Sequence, residues 1–174
     1  MYLDRPSPPN KPVRCPACGL ELPSSGAAGY KRLWSSPECS ELYGQLSAYL
    51  LSLADPSFPH QYAADAYAAQ HASLHSKPIT TVFAVIGLQL ACERHYSGKQ
   101  VQRVHQLLAR RKPDWPVLTL PLHRGSVTVQ DVLRAQPGPS RIAALQTWCG
   151  SVWEAWAHER STIENLLAEH LDAG

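Results

Sequence analysis

His60-Gln-Tyr-Ala-Ala-Asp65-Ala-Tyr67-Ala-Ala-Gln70-His71-Ala-Ser-Leu-His75 runs without a Gly or Pro until Lys77-Pro78. Read with a helical period, His60, Ala64, Tyr67 and His71 fall on one stripe, which Ala68 and His75 continue. Small residues, imidazoles and a phenol are an unusual composition for a core-facing stripe. The reading is a helix that carries a site, and it sets the class of the whole chain: an all-α bundle of about five helices.

The flanking segments fit that class. Before it, Pro37 to Ala54 places Leu42, Leu46, Tyr49, Leu50 and Leu53 at helical spacing, and Asp55-Pro56-Ser57-Phe58-Pro59 breaks the run. After it, Ile79 to His95 is apolar on nearly every side, as suits a helix in the middle of a bundle. Lys99 to Arg111 shows Val101, Val104, Leu107 and Leu108 as one face. Residues 112–125 hold three prolines and no period, and read as a long connection. A short helix comes next, capped by Thr128, and then one long helix from Arg141 to Leu171 that carries Trp148, Trp153 and Trp156.

Upstream, residues 1–14 contain Pro6, Pro8, Pro9 and Pro12 and read as an extended arm, with residues 15–174 as a single domain. Cys15-Pro-Ala-Cys18-Gly19 has the form of a zinc knuckle. The two-residue spacer lets both thiolates reach one tetrahedral ion, and glycine permits the turn. Cys39 opens the first helix behind Ser36-Pro37, where the helix dipole favours thiolate. Redox Cys-x-x-Cys pairs open a helix after a strand, and no strand is read before Cys15. Leu20 to Trp34 reads as loop.

Three ligand sets compete. Cys15, Cys18 and Cys39 take His71, or else His60, as a fourth ligand. Alternatively His71 with His60 or His75 forms its own site with His158. In the third set Glu154 and His158, one turn apart, join His71. Asp65, Tyr67, Gln70 and His158 are the residues of a polar pocket that would bind a small ligand or support metal-dependent chemistry. Structural roles compete for three of them: Asp65 as acceptor for Arg141 or a Trp indole, and Tyr67 and Gln70 as buried fasteners of helix two. No phosphate loop, nucleophile elbow or His-Glu-x-x-His motif names a reaction.

Net charge is +2 with no basic block, so no phosphate-neutralising nucleic-acid surface is indicated. No apolar run reaches membrane-spanning length. Five cysteines and a polar, Pro-rich start imply thiols or metal ligands in the cytoplasm rather than a disulfide framework. Half-apolar faces leave room for a homodimer. The sum is a zinc-binding helical protein, with a non-catalytic interaction module as the alternative.

Taken in order, Cys15-Pro-Ala-Cys18-Gly, Ser36-Pro-Glu-Cys39, Asp65-Ala-Tyr67-Ala-Ala-Gln70-His71, Gly125-Ser-Val-Thr128-Val-Gln-Asp131-Val and Trp153-Glu-Ala-Trp156-Ala-His158 resemble an uncharacterised bacterial family, a domain of unknown function. The resemblance implies a small intracellular bacterial protein and implies no activity. More loosely, the chain is similar to the DinB-like metal-binding bundles, which take a His from one helix and a His-x-x-x-His from another. That likeness implies His71, His75 and a distant His158 as ligands.

Overall fold

The computed structural model describes residues 11–27, 33–111 and 114–171. Among these, the chain is helical apart from one small hairpin. The elements are β1 (Pro12–Arg14), β2 (Glu21–Pro23), α1 (Pro37–Ser52), α2 (His60–Gln70), α3 (Pro78–Glu93), α4 (Gly98–Arg111), α5 (Val129–Arg134), α6 (Pro139–Ala155) and α7 (Arg160–His170). A 3-10 turn, Ala157–Glu159, joins α6 to α7.

α2 and α3 form the centre. α3 buries Val82, Val85, Ile86, Leu88 and Leu90, as its all-round apolar sequence requires. α2 contributes Ala63, Ala66 and Ala69, all fully buried. The Ala-rich run is thus a core element, not only a bearer of site residues. Its short side chains let α3 and α6 come close, and close packing of backbones takes the place of large apolar groups. α1, α4 and α6 pack around α2, and α7 packs on α3.

Several expectations need correction. A strand does precede Cys15: β1 pairs antiparallel with β2 in the register Val13 to Leu22, so the knuckle is the turn of a hairpin. Residues 12–14, read as part of the arm, and Glu21–Pro23, read as loop, are these strands. Pro12 and Pro23 face each other at the open end, where a missing N–H does least harm. The two cysteines lead into a return strand and not into a helix, so the redox-type arrangement is still absent. Residues 1–10 of the arm lie outside the described residues.

Helix two stops at Gln70, with His71 as its C-cap. Ser73 and Ser76 hold a turn there: Ser73 N–H donates to Ser76 Oγ (3.0 Å), and His75 N–H donates to Ser73 Oγ (3.1 Å). Serine side chains offer the backbone an alternative to helical bonds. His75 therefore leaves the helical stripe and does not form a His-x-x-x-His pair with His71.

The last helix is two helices. α6 ends at Trp156, whose indole is fully buried and donates to Ala69 O (3.2 Å). The chain then tightens into the 3-10 turn, and two of its residues clamp the strap that crosses the bundle. Glu159 accepts from Thr119 N–H (2.7 Å), and His158 Nε2–H donates to Thr119 O (2.7 Å). No glycine or proline marks this break in the sequence.

Candidate metal centre

Four potential ligand atoms from three separate segments converge. The Sγ atoms of Cys15, Cys18 and Cys39 and a ring nitrogen of His71 all lie within 4.8 Å of one another, and these residues could hold a metal ion. Each arrives by a local mechanism. The hairpin turn brings Cys15 and Cys18 together: Cys15 N–H donates to Leu20 O (2.8 Å) and Gly19 N–H to Cys15 O (2.9 Å). Gly19 takes φ +76°, a left-handed conformation that glycine adopts without strain. Cys39 sits in the first turn of α1, its N–H capped by Ser36 Oγ at 3.1 Å. His71 ends α2 and is fully buried.

His71 is held in the tautomer a metal needs. Its Nδ1–H donates to Tyr67 O at 2.8 Å, which leaves the Nε2 lone pair facing Cys39 Sγ at 3.4 Å. Tyr67 packs over the imidazole with ring centroids 4.2 Å apart, and Tyr43 stacks on Tyr67 at 4.1 Å. The Tyr67 hydroxyl meets Ser35 Oγ at 2.5 Å, and burial pushes the phenol well above its ordinary pKa.

The spacing suits a tetrahedral ion. Zn–S bonds of about 2.3 Å and Zn–N bonds of about 2.0 Å require S···S near 3.8 Å and S···N near 3.5 Å. The Cys18–Cys39 separation is 3.8 Å and the Cys39–His71 separation is 3.4 Å. Without a cation the three thiols cannot ionise together. A hydrogen bond from the Cys18 thiol holds Cys15 far below its ordinary value. The same contact pushes Cys18 up to about 11, and bonding to Cys15 and Cys18 pushes Cys39 up further. A divalent cation removes that conflict.

The other sequence-derived candidates lie elsewhere. His60 is half-buried at the opposite end of α2, against Phe58 (5.6 Å), with its pKa lowered by burial. It shares a stripe with His71 but stands roughly 16 Å away along the helix axis, and it is not one of the four converging residues. His158 is exposed and engaged with Thr119. Glu154 is exposed on α6.

Asp65, Tyr67, Gln70 and His158 do not share one pocket. Tyr67 borders a cavity of about 590 Å3 between α1 and α2, together with Leu33, Tyr43 and Ala64, and none of the other three borders it. Gln70 is fully buried and works as a fastener. Its Nε2 donates to Arg124 O (2.9 Å) and Val127 O (2.8 Å), and its Oε1 accepts from Trp148 Nε1 (3.0 Å).

Asp65 is buried between α2 and α3. Its partner is neither Arg141 nor an indole: Gln61 Nε2 donates to Oδ1 at 3.0 Å, while Oδ2 has no hydrogen-bond partner. Gly87 supplies the room, since a Cβ there would stand 1.9 Å from Oδ2. Sequence reading passed over this pairing, although a lone glycine amid the apolar run of α3 was a signal of close approach. Burial pushes the Asp65 pKa well above the carboxylate range. The folded state therefore keeps a proton that the unfolded chain releases near pH 4. The contribution of this one group to stability is greatest below that point and falls as pH rises toward the folded-state pKa, by up to about 1.4 kcal/mol per pH unit. Denaturant titrations across pH should show wild type losing stability relative to Asp65→Asn as pH rises above about 4. Equal slopes would mean the carboxyl is not held neutral.

No helix among the described residues is long and apolar enough to cross a membrane. No curated protein and no solved structure matches the chain. Residues 13–157, which take in the hairpin from Val13 on, the four converging Cys and His residues and the helices through α6, match a family of unknown function. The chain belongs to that family, DUF5946.

Proposed function

We propose that this is a cytoplasmic zinc-binding protein in which the metal is mainly structural: it fastens the N-terminal hairpin to the start of one helix and the end of another. The observation that carries this reading is the ligand geometry, 3.8 Å between Cys18 and Cys39 and 3.4 Å between Cys39 and His71, at a set of four that no single segment could assemble. Soft thiolates select zinc over hard cations such as Mg2+. Three thiolates with a neutral imidazole leave a zinc centre at net charge −1. Such an electron-rich, four-ligand set suits a closed structural site better than water activation, which calls for three protein ligands and an open position. His71 belongs to the metal and Tyr67 braces it. Gln70, one residue earlier, fastens the strap at residues 124–127.

Protein purified under reducing conditions without chelator should carry about one zinc per chain by elemental analysis. Exchange into Co2+ should give tetrahedral d–d bands together with thiolate charge-transfer bands. Preparations that contain no transition metal and take up neither ion would overturn the reading.

A further inference from the structure

The chemistry of the surface just outside the metal centre is uniform. One cleft of about 400 Å3 opens between the knuckle and the strap, bordered by Arg14, Gly19, Leu122, His123 and Arg124. A second, of about 410 Å3, adjoins it through Arg124 and is bordered by Trp34, Leu74, His75 and Leu120. Among the described residues no carboxylate borders either cleft. Among the described residues no acid pairs with Arg14 or Arg124.

Three large apolar side chains stand out on this face: Leu122 is 98 % exposed, Leu74 85 % and Trp34 50 %. Trp34 is held through its backbone, and so are residues that flank the two leucines. Trp34 N–H donates to His71 O (2.8 Å), Gln70 holds Arg124 O and Val127 O, and Arg124 Nη1 returns to Ala72 O at 2.7 Å. Ser126 N–H and Val127 N–H both donate to Ser151 Oγ. The Arg124 guanidinium also lies over the Trp34 ring at 5.8 Å. Exposed leucines on anchored segments, beside guanidinium groups that no acid of the described residues neutralises, mark an interface.

We infer that this face docks an acidic peptide segment of a partner protein, one that places a bulky apolar side chain against Leu74, Leu122 and Trp34 and carboxylates against Arg14 and Arg124. Charge complementarity selects the acid: among the described residues, the charged or titratable side chains bordering the clefts are cations or imidazoles apart from the metal-centre thiols, and the two guanidiniums outweigh that centre's net −1. The exposed leucines select a peptide over a free inorganic anion, which would leave them in water. The position of the knuckle rests on the zinc reading, so zinc content is measured first and on the same sample.

The test is peptide display against the immobilised, zinc-loaded full chain. The enriched consensus is then synthesised with a fluorophore, and its binding is followed by anisotropy. The expected consensus combines Asp or Glu with Leu, Phe or Trp. Its binding should weaken with salt, by about tenfold in Arg14→Glu and by roughly five- to tenfold in Leu122→Ser. Leu122 is exposed and Arg14 lies at the exposed end of β1, so both variants should keep their zinc and their circular dichroism. A neutral or basic consensus, binding indifferent to both substitutions, or no enrichment at all from zinc-replete protein would each overturn the inference while leaving the zinc reading intact. So would a dimer that Leu122→Ser dissolves, with no acidic consensus: the occupant would then be a second copy of the chain. Absence of zinc from the sample would overturn both.

Discussion

Cys39→Ser should empty the metal centre and lower the thermal midpoint by about 8–16 °C. A ligand held at a thousandfold over its dissociation constant stabilises the folded state by about 4 kcal/mol. In a chain of this size, each kcal/mol moves the midpoint by about 2–4 °C. Cys39 is the informative position because it is fully buried and contacts both Cys18 and His71. The Ser36 cap on its amide uses the backbone alone, so the substitution leaves the start of α1 intact. Helicity at low temperature should persist, because the α2–α3–α6 core is built from residues outside the centre. Chelation of wild-type protein should bring its midpoint down to that of the variant. If zinc is lost and the midpoint stays where it was, the ion is not structural.

Gly87→Ala should be as damaging as losing the metal, for an unrelated reason. The added methyl would stand 1.9 Å from Asp65 Oδ2 and 2.5 Å from its Cγ. The carboxyl can yield only by rotating away from Gln61 inside a packed interface. Overpacking of this kind costs about 1–3 kcal/mol, and a displaced polar group that loses its hydrogen bond adds about 1–3 kcal/mol. The expected loss is about 3 kcal/mol or more by denaturant titration. Asp65→Ala removes the obstacle, so the double variant should be more stable than the sum of the single losses implies, with a coupling of about 1 kcal/mol or more. Strict additivity would mean that the two residues do not meet.

The helical class and the ligand set were legible in sequence for different reasons. Helices α1, α3 and α4 announce themselves by period and by breakers, and their observed ends fall close to those read from Pro37, Pro78 and Gly98. Cys15, Cys18 and Cys39 are legible because few other arrangements call for a Cys-x-x-Cys-Gly and then a capped cysteine. His71 is the first choice and is the residue that converges, but His60 stays as the alternative because a helical projection records angle and discards axial distance. The hairpin was hidden by its brevity and by prolines at both ends. The Trp156 break was hidden because a buried indole and a contact to Thr119, distant in sequence, cause it. The polar pocket assembled from Asp65, Tyr67, Gln70 and His158 failed for a related reason. Spacing along the chain cannot say that Gln70 turns inward to Trp148 while His158 turns outward to the strap.

The order of the ligands along the chain has a consequence for biosynthesis. Cys15 and Cys18 leave the ribosome well before α2 exists, and at about 5–20 residues per second they wait roughly 3–10 s for His71. A nascent chain thus carries first two and then three thiols that grip an ion only weakly without the fourth group, at the stage when an oxidant can join them most easily. If the centre takes zinc as proposed, a chain that matures where thiols stay reduced and zinc is exchangeable avoids that hazard.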